Sequence, residues 1–596
     1  MKSKQLWHTD ADSIAPSKIE NIIVKNNIVD QFLSTENKHF IVASKGIGKT
    51  LLLKYKRFLL ERHYKSSSGG TRITFIPEST PYLDFVSDFG SVRKSTKDLM
   101  ADLDISRKLW TVALMISILS YYHSAPRSSL NKYQLEIDDL KELHQKKFNK
   151  YIGWFCGSRK VAPCYVLRNL LSMSKSDLLR FLDEHYPIIE DIFKTVQSGV
   201  LVFVDRVDQA IKRYGKEVWI HFQAGLIEAA WDTMRINNHV KVFTSIRQES
   251  WLSYSSSDKE AIKGYVSLMR YSHEDLLHIS NHHCQYYENA RSVSEYIGFS
   301  EVLNTFSGSK EDVFTYIQRH TIGRPRDLVA IFSSISPYRE KLSEKLFRDV
   351  VNSTSHVDIG KNVFSELSFL FHTLYSLDRQ EGFLSNIPTN VLSRSMLNDI
   401  CRTFNQLPEC KGGTNCKDCQ GDHVFCDLYN AGFLGIVKHE KTNTNSNGTK
   451  KQKFLGPYDM RSYEKGGLPS SDNFYLIHPA LQDYIEEVRN RMNGNTYDLT
   501  NHILVGHNYD WPDSFTCLVE IDFTLKDISD ATLKEQLTTL TTAVVHKKIE
   551  PEDIKSNIAN LEKWLDYSAK WSDSVMKVTK LIEKVNSWWP TDSLGG

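Results

Sequence analysis

Hydrophobic and polar positions along the first half of the chain fall into two alternating patterns. One consists of short apolar runs: NKHFIV (37–42), SGVLVFVD (198–205) and VKVFTSI (240–246), with a further strand expected at TRITFIP (71–77). Continuous β-branched and aromatic runs, apolar on both faces, are what a buried parallel strand shows. The other pattern has apolar residues three and four apart. TLLLKYKRFLLERHY (50–64) follows the first run, a mostly helical stretch covers about 92–195, and a further helix covers about 216–235. Strands that alternate with helices predict a doubly wound α/β core with a parallel sheet. From about 272 to about 405 the spacing is helical throughout.

The remainder reads differently. A cysteine-rich segment, 401–426, leads into AGFLGIVKHE (431–440), a polar tip TNTNSNGTKKQK (442–453), and then FYLIHPALQDYIEEVRNRM (474–492). The order helix, strand, polar tip, strand, helix predicts a winged-helix-type module. Near the carboxyl end Trp571, Val575, Val578, Ile582, Val585 and Trp589 repeat at four- and three-residue spacing, which predicts a helix whose apolar side packs in a small bundle. The expected organisation is therefore an α/β domain over 1–270 with a helical insertion at about 92–195. A helical lid over 271–400, a cysteine-rich and winged-helix-type module over 401–492 and a helical region over 493–596 follow it.

Composition adds little to this division but narrows the partners. A chain of 596 residues is too long for one core, and about three or four domains are expected. Net charge is only +2, with 41% hydrophobic and 24% charged residues, so no global field draws the chain to nucleic acid or anionic membrane. Any such contact has to be a local patch. The amino terminus, MKSKQLWHTDADS, has no apolar leader pattern, and LWTVALMISILSYYH (109–123) falls short of the roughly 20 residues of a spanning helix. A cytoplasmic chain without membrane contact is the expectation.

The chemistry begins at IVASKGIGKT (41–50). A strand, a glycine-rich turn and a helix in that order cradle phosphate, because successive backbone N–H groups converge at the positive end of the helix. Gly46 and Gly48 let the backbone close, and Ser44, Lys45, Ile47 and Leu51 complete the loop. Lys49 reaches the β- and γ-phosphates, and the Thr50 hydroxyl binds Mg²⁺. Ala43 stands where the full pattern has its first glycine, at a strand exit that accepts a methyl group if φ stays negative. VLVFVDRVDQA (200–210) supplies the complementary acid: Asp205, at the end of a buried strand, is placed to hold Mg²⁺ or its water. Asp208, three residues on, either orients and deprotonates an attacking water or caps a helix.

These residues resemble those of P-loop ATPases of the STAND class, signalling relatives of the AAA+ ATPases, over about residues 20–490. FVDRVDQ is similar to the D-x-x-D ending of the class's metal strand. VFTSIRQES resembles its next strand, which implies that Arg247 senses the γ-phosphate; a surface salt bridge is the plainer alternative. YSHEDLLHIS (271–280) resembles the segment after that strand, and TIGRPRDLVAIF (321–332) the G-x-P element of the lid. The resemblance implies that Pro325 packs near adenine and that Arg324 or Arg326 reaches phosphate or caps a helix. FYLIHPALQDYI resembles the winged-helix histidine motif, which implies that His478 touches the β-phosphate of ADP; a capped structural histidine is the alternative. The interval from Lys49 to Asp205 is longer than the pattern and points to inserted helices. The class further implies an ATP/ADP switch that hydrolyses ATP, forms a homo-oligomer in its ATP state and controls a separate effector or sensor protein, with anti-phage defence among its roles. No effector pattern is recognisable before the loop or in 495–596.

Three other readings stay open. Cys410, Cys416, Cys419 and Cys426, spaced C-x5-C-x2-C-x6-C with Cys401 and His423 nearby, could hold a structural zinc. A Cys416/Cys419 redox pair or plain reduced thiols are the alternatives. Lys441, Lys450, Lys451 and Lys453 on the polar tip could meet DNA phosphates, as in an initiator-like AAA+ protein with a winged helix, or simply be solvated. A nucleotide-locked scaffold without turnover is the third.

Overall fold

Val200, Val202 and Val204 line one side of a strand, Leu201 and Phe203 the other, and all five are buried. That two-sided burial is the organising feature of the computed structural model. It describes residues 11–34, 37–66, 73–77, 94–123, 142–157, 159–303, 310–371, 376–387, 390–392, 424–439, 451–455 and 475–493. Trp7, Met396, Leu397, Ile400, Leu468, Tyr509 and Asp510 are also described. The chain divides into two units, Met1–Ser292 with Arg324–Val329, and Val293–Gly323 with Ala330–Gly596.

In the first unit, in chain order, the elements are α1 (Asn27–Ser34), β1 (Phe40–Ala43), α2 (Lys49–Ser66) and β2 (Thr74–Ile76). Five helices follow: α3 (Lys94–Met100), α4 (Leu103–His123), α5 (Glu142–Cys156), α6 (Pro163–Leu171) and α7 (Lys175–Phe193). Then come β3 (Val200–Val204), α8 (Val207–Ile211), α9 (Lys216–Ile236), β4 (Val240–Arg247), α10 (Gln248–Ser253), β5 (Val266–Leu268) and α11 (His273–Glu288). The five strands form one all-parallel sheet in the order β2-β3-β4-β1-β5. The unit is thus α/β, with helices on both faces.

Strand alternation assigns the two faces. Ile41 and Ala43 of β1, Leu201 and Phe203 of β3 and Phe243 of β4 share a core with Val29 and Phe32 of α1 and Leu52 and Leu53 of α2. Phe203 and Phe243 stack with centroids 5.0 Å apart. On the opposite face α9 packs against β4, and α4 packs along α9. Trp110 Nε1 of α4 donates to the Phe222 carbonyl of α9 at 3.0 Å. Arg107, also on α4, bonds both Asp232 oxygens and pairs with Asp258 at 2.8 Å. The long interval between β2 and β3 is therefore filled, among the described residues, by helices that pack on one another and on α9, the helix that lies against β4.

β5 escaped the sequence pattern because it is three residues long and has Ser267 at its centre, which breaks the apolar run. Chain order runs outward from β1 to β2, returns through β3 and β4, and crosses β1 to reach β5. The reversal at β1 leaves its carboxyl end as the topological switch point, where ligands of open α/β sheets bind.

In the second unit β6 (Glu301–Leu303) and β7 (Lys310–Asp312) pair as a ribbon, so the stretch from 272 onward is not helical throughout. Each strand is only three residues, too short for a periodic signal. The unit continues with α12 (Val313–Arg319), the later turns of α13 (Pro325–Ile335), α14 (Glu344–Thr354), β8 (Val391–Leu392), α15 (Val424–Asn430), β9 (Leu434–His439), β10 (Lys451–Leu455), β11 (Tyr475–Ile477), α16 (Pro479–Asn493) and β12 (Tyr509–Asp510). Its strands form an antiparallel sheet, β12-β10-β9-β11-β8. Cys410, Cys416, Cys419 and most of the polar tip lie outside the described residues, as does the terminal helix expected around Trp571–Trp589. Of the expected helical region 493–596, Tyr509–Asp510 pairs as a strand. Among the described residues no helix is long and apolar enough to cross a membrane.

Gly225 sits where α9 meets α4; a Cβ there would lie 2.8 Å from the Ser106 Cβ and 2.9 Å from the Arg107 nitrogen. At an exposed helical position Gly→Ala adds up to about 1 kcal/mol. Here overpacking reverses the sign, and Gly225→Ala is expected to cost about 1–3 kcal/mol, read as a lower urea midpoint. An unchanged or higher midpoint would contradict this close approach.

Candidate functional site

The switch point holds a cleft of about 350 Å³. Its walls come from the turn between β1 and α2 (Lys45, Gly46, Gly48, Lys49, Thr50, Leu51) and from the end of β3 (Asp205, Arg206, Asp208, Gln209), with Ala11 and Arg326 at the rim. Residues that the sequence separates by some 155 positions are thus brought to one space.

The turn folds as its glycines require. Gly46 has φ +88° and Gly48 +106°, a region open to glycine at little cost. Ala43 is not among the positive-φ residues, and its methyl group is buried in the core beside Ile41, so the strand exit accepts it. Lys49 folds back over the turn: its Nζ donates to the Ala43 and Ser44 carbonyls, each at 3.0 Å. The Ser44 hydroxyl is buried and has no hydrogen-bond partner. A segment remote in sequence closes the loop from outside. Arg326 N–H donates to the Gly46 carbonyl at 3.2 Å, and Arg324 Nη1 to the Lys45 carbonyl at 3.2 Å. Arg324 is itself fixed by Asp327 at 2.5 and 2.9 Å. A Cβ on Gly46 would meet the Arg326 Cβ at 3.2 Å, so this position needs glycine for space as well as for φ. Pro325 opens α13, where its missing N–H costs nothing.

Opposite the turn, Asp205 is buried and accepts the Ser245 hydroxyl on one oxygen. Its other oxygen, Oδ2, has no hydrogen-bond partner and lies 4.0 Å from Arg206 Nε. A buried, half-satisfied carboxylate in the same cleft as the Thr50 hydroxyl fits a hard cation such as Mg²⁺, which takes oxygen ligands and keeps several waters. Asp208 stands in the first turn of α8 and is not its N-cap; that position is Arg206. Arg206 has φ +60° and ψ +22°, a left-handed conformation that costs an L-residue roughly 1–2 kcal/mol. The backbone therefore turns sharply between the two carboxylates.

Arg247 closes the back of the site. Its side chain is 2% exposed, so a surface salt bridge does not describe it. Nη1 lies 3.5 Å from Asp208 Oδ2, while Nε and Nη2 meet Glu249 at 3.2 and 3.1 Å in a bidentate pair. Its backbone N–H donates to Gln223 Oε1 at 3.1 Å, and Trp219 Nε1 donates to the Asp208 carbonyl at 3.0 Å. Arg247 thus reaches the cleft through Asp208. Glu249, Gln223, Trp219 and Arg206 carry no motif in the sequence that marks them for the site. Glu249 was detectable in principle, since a carboxylate two residues from a buried strand-end arginine is its nearest available partner.

Among the described residues four cations line the cleft, Lys45, Lys49, Arg206 and Arg326, against two carboxylates, Asp205 and Asp208. Burial and the Arg247 charge lower the pKa of Lys49 to about 8, against the opposing pull of Asp208, Glu249 and Asp205. Burial likewise raises Asp208 above its ordinary value, though Arg247 and Lys49 pull it down. The arrangement can bind an anion across a cation-holding carboxylate, with a second carboxylate beside it whose proton affinity is raised.

His478 belongs to the second unit. It is buried; its Nε2–H donates to the Thr321 carbonyl at 2.9 Å and its Nδ1 accepts the Ala480 N–H at 3.1 Å. Both ring nitrogens are used at the junction of β11 and α16. Cys426 is buried, and its Sγ accepts the Leu468 N–H at 3.2 Å. Among the described residues no three His, Cys, Asp or Glu side chains group as a metal site.

No protein-family model matches the chain, and no curated protein is similar to it at a significant level.

An anion bound beside Lys49 favours its charged form, so binding above pH 8 requires proton uptake. Affinity for a polyphosphate is expected to hold from pH 7 to 8 and then to fall, by up to about tenfold per unit, toward pH 10. Titration calorimetry at several pH values checks this; affinity that is flat or rises over pH 8–10 contradicts it.

Proposed function

We propose that the first unit binds ATP and ADP with Mg²⁺ and that the chain is an ATP-hydrolysing switch of the STAND/AAA+ type. The observation that carries this reading is the shared cleft: a positive-φ turn between β1 and α2 faces a strand-end Asp205 with one buried oxygen unsatisfied. A glycine turn at a helix start supports phosphate binding, and the all-parallel order with the cleft at the switch point supports nucleotide binding.

In this reading the loop from Ser44 to Leu51 wraps the phosphates, Lys49 leaves the carbonyls of Ala43 and Ser44 for the β/γ-phosphates, and Thr50 and Asp205 hold Mg²⁺. The metal would supply charge neutralisation at the transferring phosphate. Asp208 orients the attacking water and accepts its proton; a raised proton affinity suits that task. Arg247, fixed by Glu249, positions Asp208. The contacts of Arg324 and Arg326 with the loop support a coupling between nucleotide and the segment that contains Pro325.

The second unit would supply a lid and a winged-helix-type module. The helices after Val313 support the lid, and the β9–β10 hairpin with β11, flanked by α15 and α16, supports the module. Exchange of ADP for ATP would then change conformation or assembly state and engage an effector or sensor partner.

Lys49→Ala is expected to abolish ATP and ADP binding in equilibrium dialysis. Asp208→Asn is expected to retain binding and lose at least about 100-fold in phosphate release. Wild-type binding in the first variant, or wild-type turnover in the second, would sink the respective assignment.

A further inference from the structure

Among the described residues only Arg206 and Asn289 are non-glycine residues with positive φ. Asn289 ends α11 as a left-handed cap, a common place for asparagine. Arg206 has no such explanation. A glycine would satisfy its φ and ψ with less strain, and its side chain makes no cap bond to α8. Yet its guanidinium lines the cleft, beside the unsatisfied oxygen of Asp205. Strained backbone held at a cleft, with an ionic side chain in its wall, is the pattern of a functional residue.

We infer that Arg206 is a phosphate ligand supplied from the metal-strand side and that it recognises the terminal phosphate. This rests on the nucleotide reading above. The loop and Lys49 approach the phosphates from the helix α2 end, whereas a strand-end acid with its metal marks the γ-phosphate end. Arg206 follows that acid directly, so its charge belongs to the γ side. In the structure it lies 4.0 Å from Asp205 Oδ2. A cation drawn to Asp205 would compete for that carboxylate, and phosphate oxygens match the planar fork of a guanidinium in the same cleft. Lys45, Lys49 and Arg326 lie on or against the loop, which leaves Arg206 as the one cation of the cleft that comes from β3. It would therefore distinguish a triphosphate from a diphosphate.

The test separates charge from backbone. Arg206→Gly removes the guanidinium and relieves the φ strain, and Arg206→Lys keeps a charge without the fork. Affinities of the wild type and both variants for MgATP and MgADP are measured by calorimetry, with thermal midpoints and phosphate release on the same samples. Arg206→Gly should keep or raise the midpoint and bind MgADP within about twofold of wild type. It should lose at least about tenfold in MgATP affinity and in turnover, with Arg206→Lys intermediate. Unchanged ATP-to-ADP preference and turnover in Arg206→Gly would overturn the inference while leaving nucleotide binding intact. A lower midpoint with both nucleotides weakened alike would make Arg206 a structural support and also overturn it. Failure of the wild type to bind either nucleotide would remove the underlying reading as well.

Discussion

Burial of the Lys49 ammonium beside the glycine turn is the constraint around which the site is arranged. Among the described residues of the cleft, the cations Lys45, Lys49, Arg206 and Arg326 outnumber the carboxylates Asp205 and Asp208. Lys49 folds onto two backbone carbonyls, and burial together with the Arg247 charge lowers its proton affinity. Arg247 is shielded differently, by the bidentate Glu249 and by Asp208. In the proposed function, a phosphate in the cleft would favour the charged form of Lys49 and leave the Arg247 pairs in place.

The fold explains how such a cleft can persist. Parallel strands buried on both faces leave only their carboxyl ends for chemistry, and β4, between β1 and β3, sets the distance across the cleft. Ser245 near the end of β4 holds Asp205, and Arg247 two residues later holds Asp208. The same strand thereby fixes both carboxylates from one side, by the period-two geometry of a β-strand. Across the cleft, the loop is braced through its own carbonyls by Arg324 and the Arg326 backbone.

The strands of the parallel sheet that could be read in the sequence were those set in β-branched or aromatic runs: FIVA, VLVFV, VKVFTSIR and, within TRITFIP, the three-residue β2. β5 and the β6–β7 ribbon, also three residues each, are broken by polar residues and carry no such run. GIGKT and D-x-x-D were legible because each chemistry demands specific residue types at fixed spacing. Among the neighbours of Arg247, Gln223 and Trp219 were not, since they approach it from a helix some twenty-four or more residues upstream, and helix-to-strand packing leaves no local mark. Arg206 was hidden for another reason: a left-handed φ at a non-glycine residue has no sequence signature. His478 was legible as a residue between strand and helix, and its two hydrogen bonds within the second unit account for its burial.

In the proposed function the cleft recognises the nucleotide through its phosphates rather than its base. Competition against labelled ATP tests it most directly, with Mg²⁺ present at pH 7.5. Inorganic tripolyphosphate should displace ATP fully, whereas adenosine at the same concentration should displace none. Displacement by adenosine with no effect of tripolyphosphate would contradict the account.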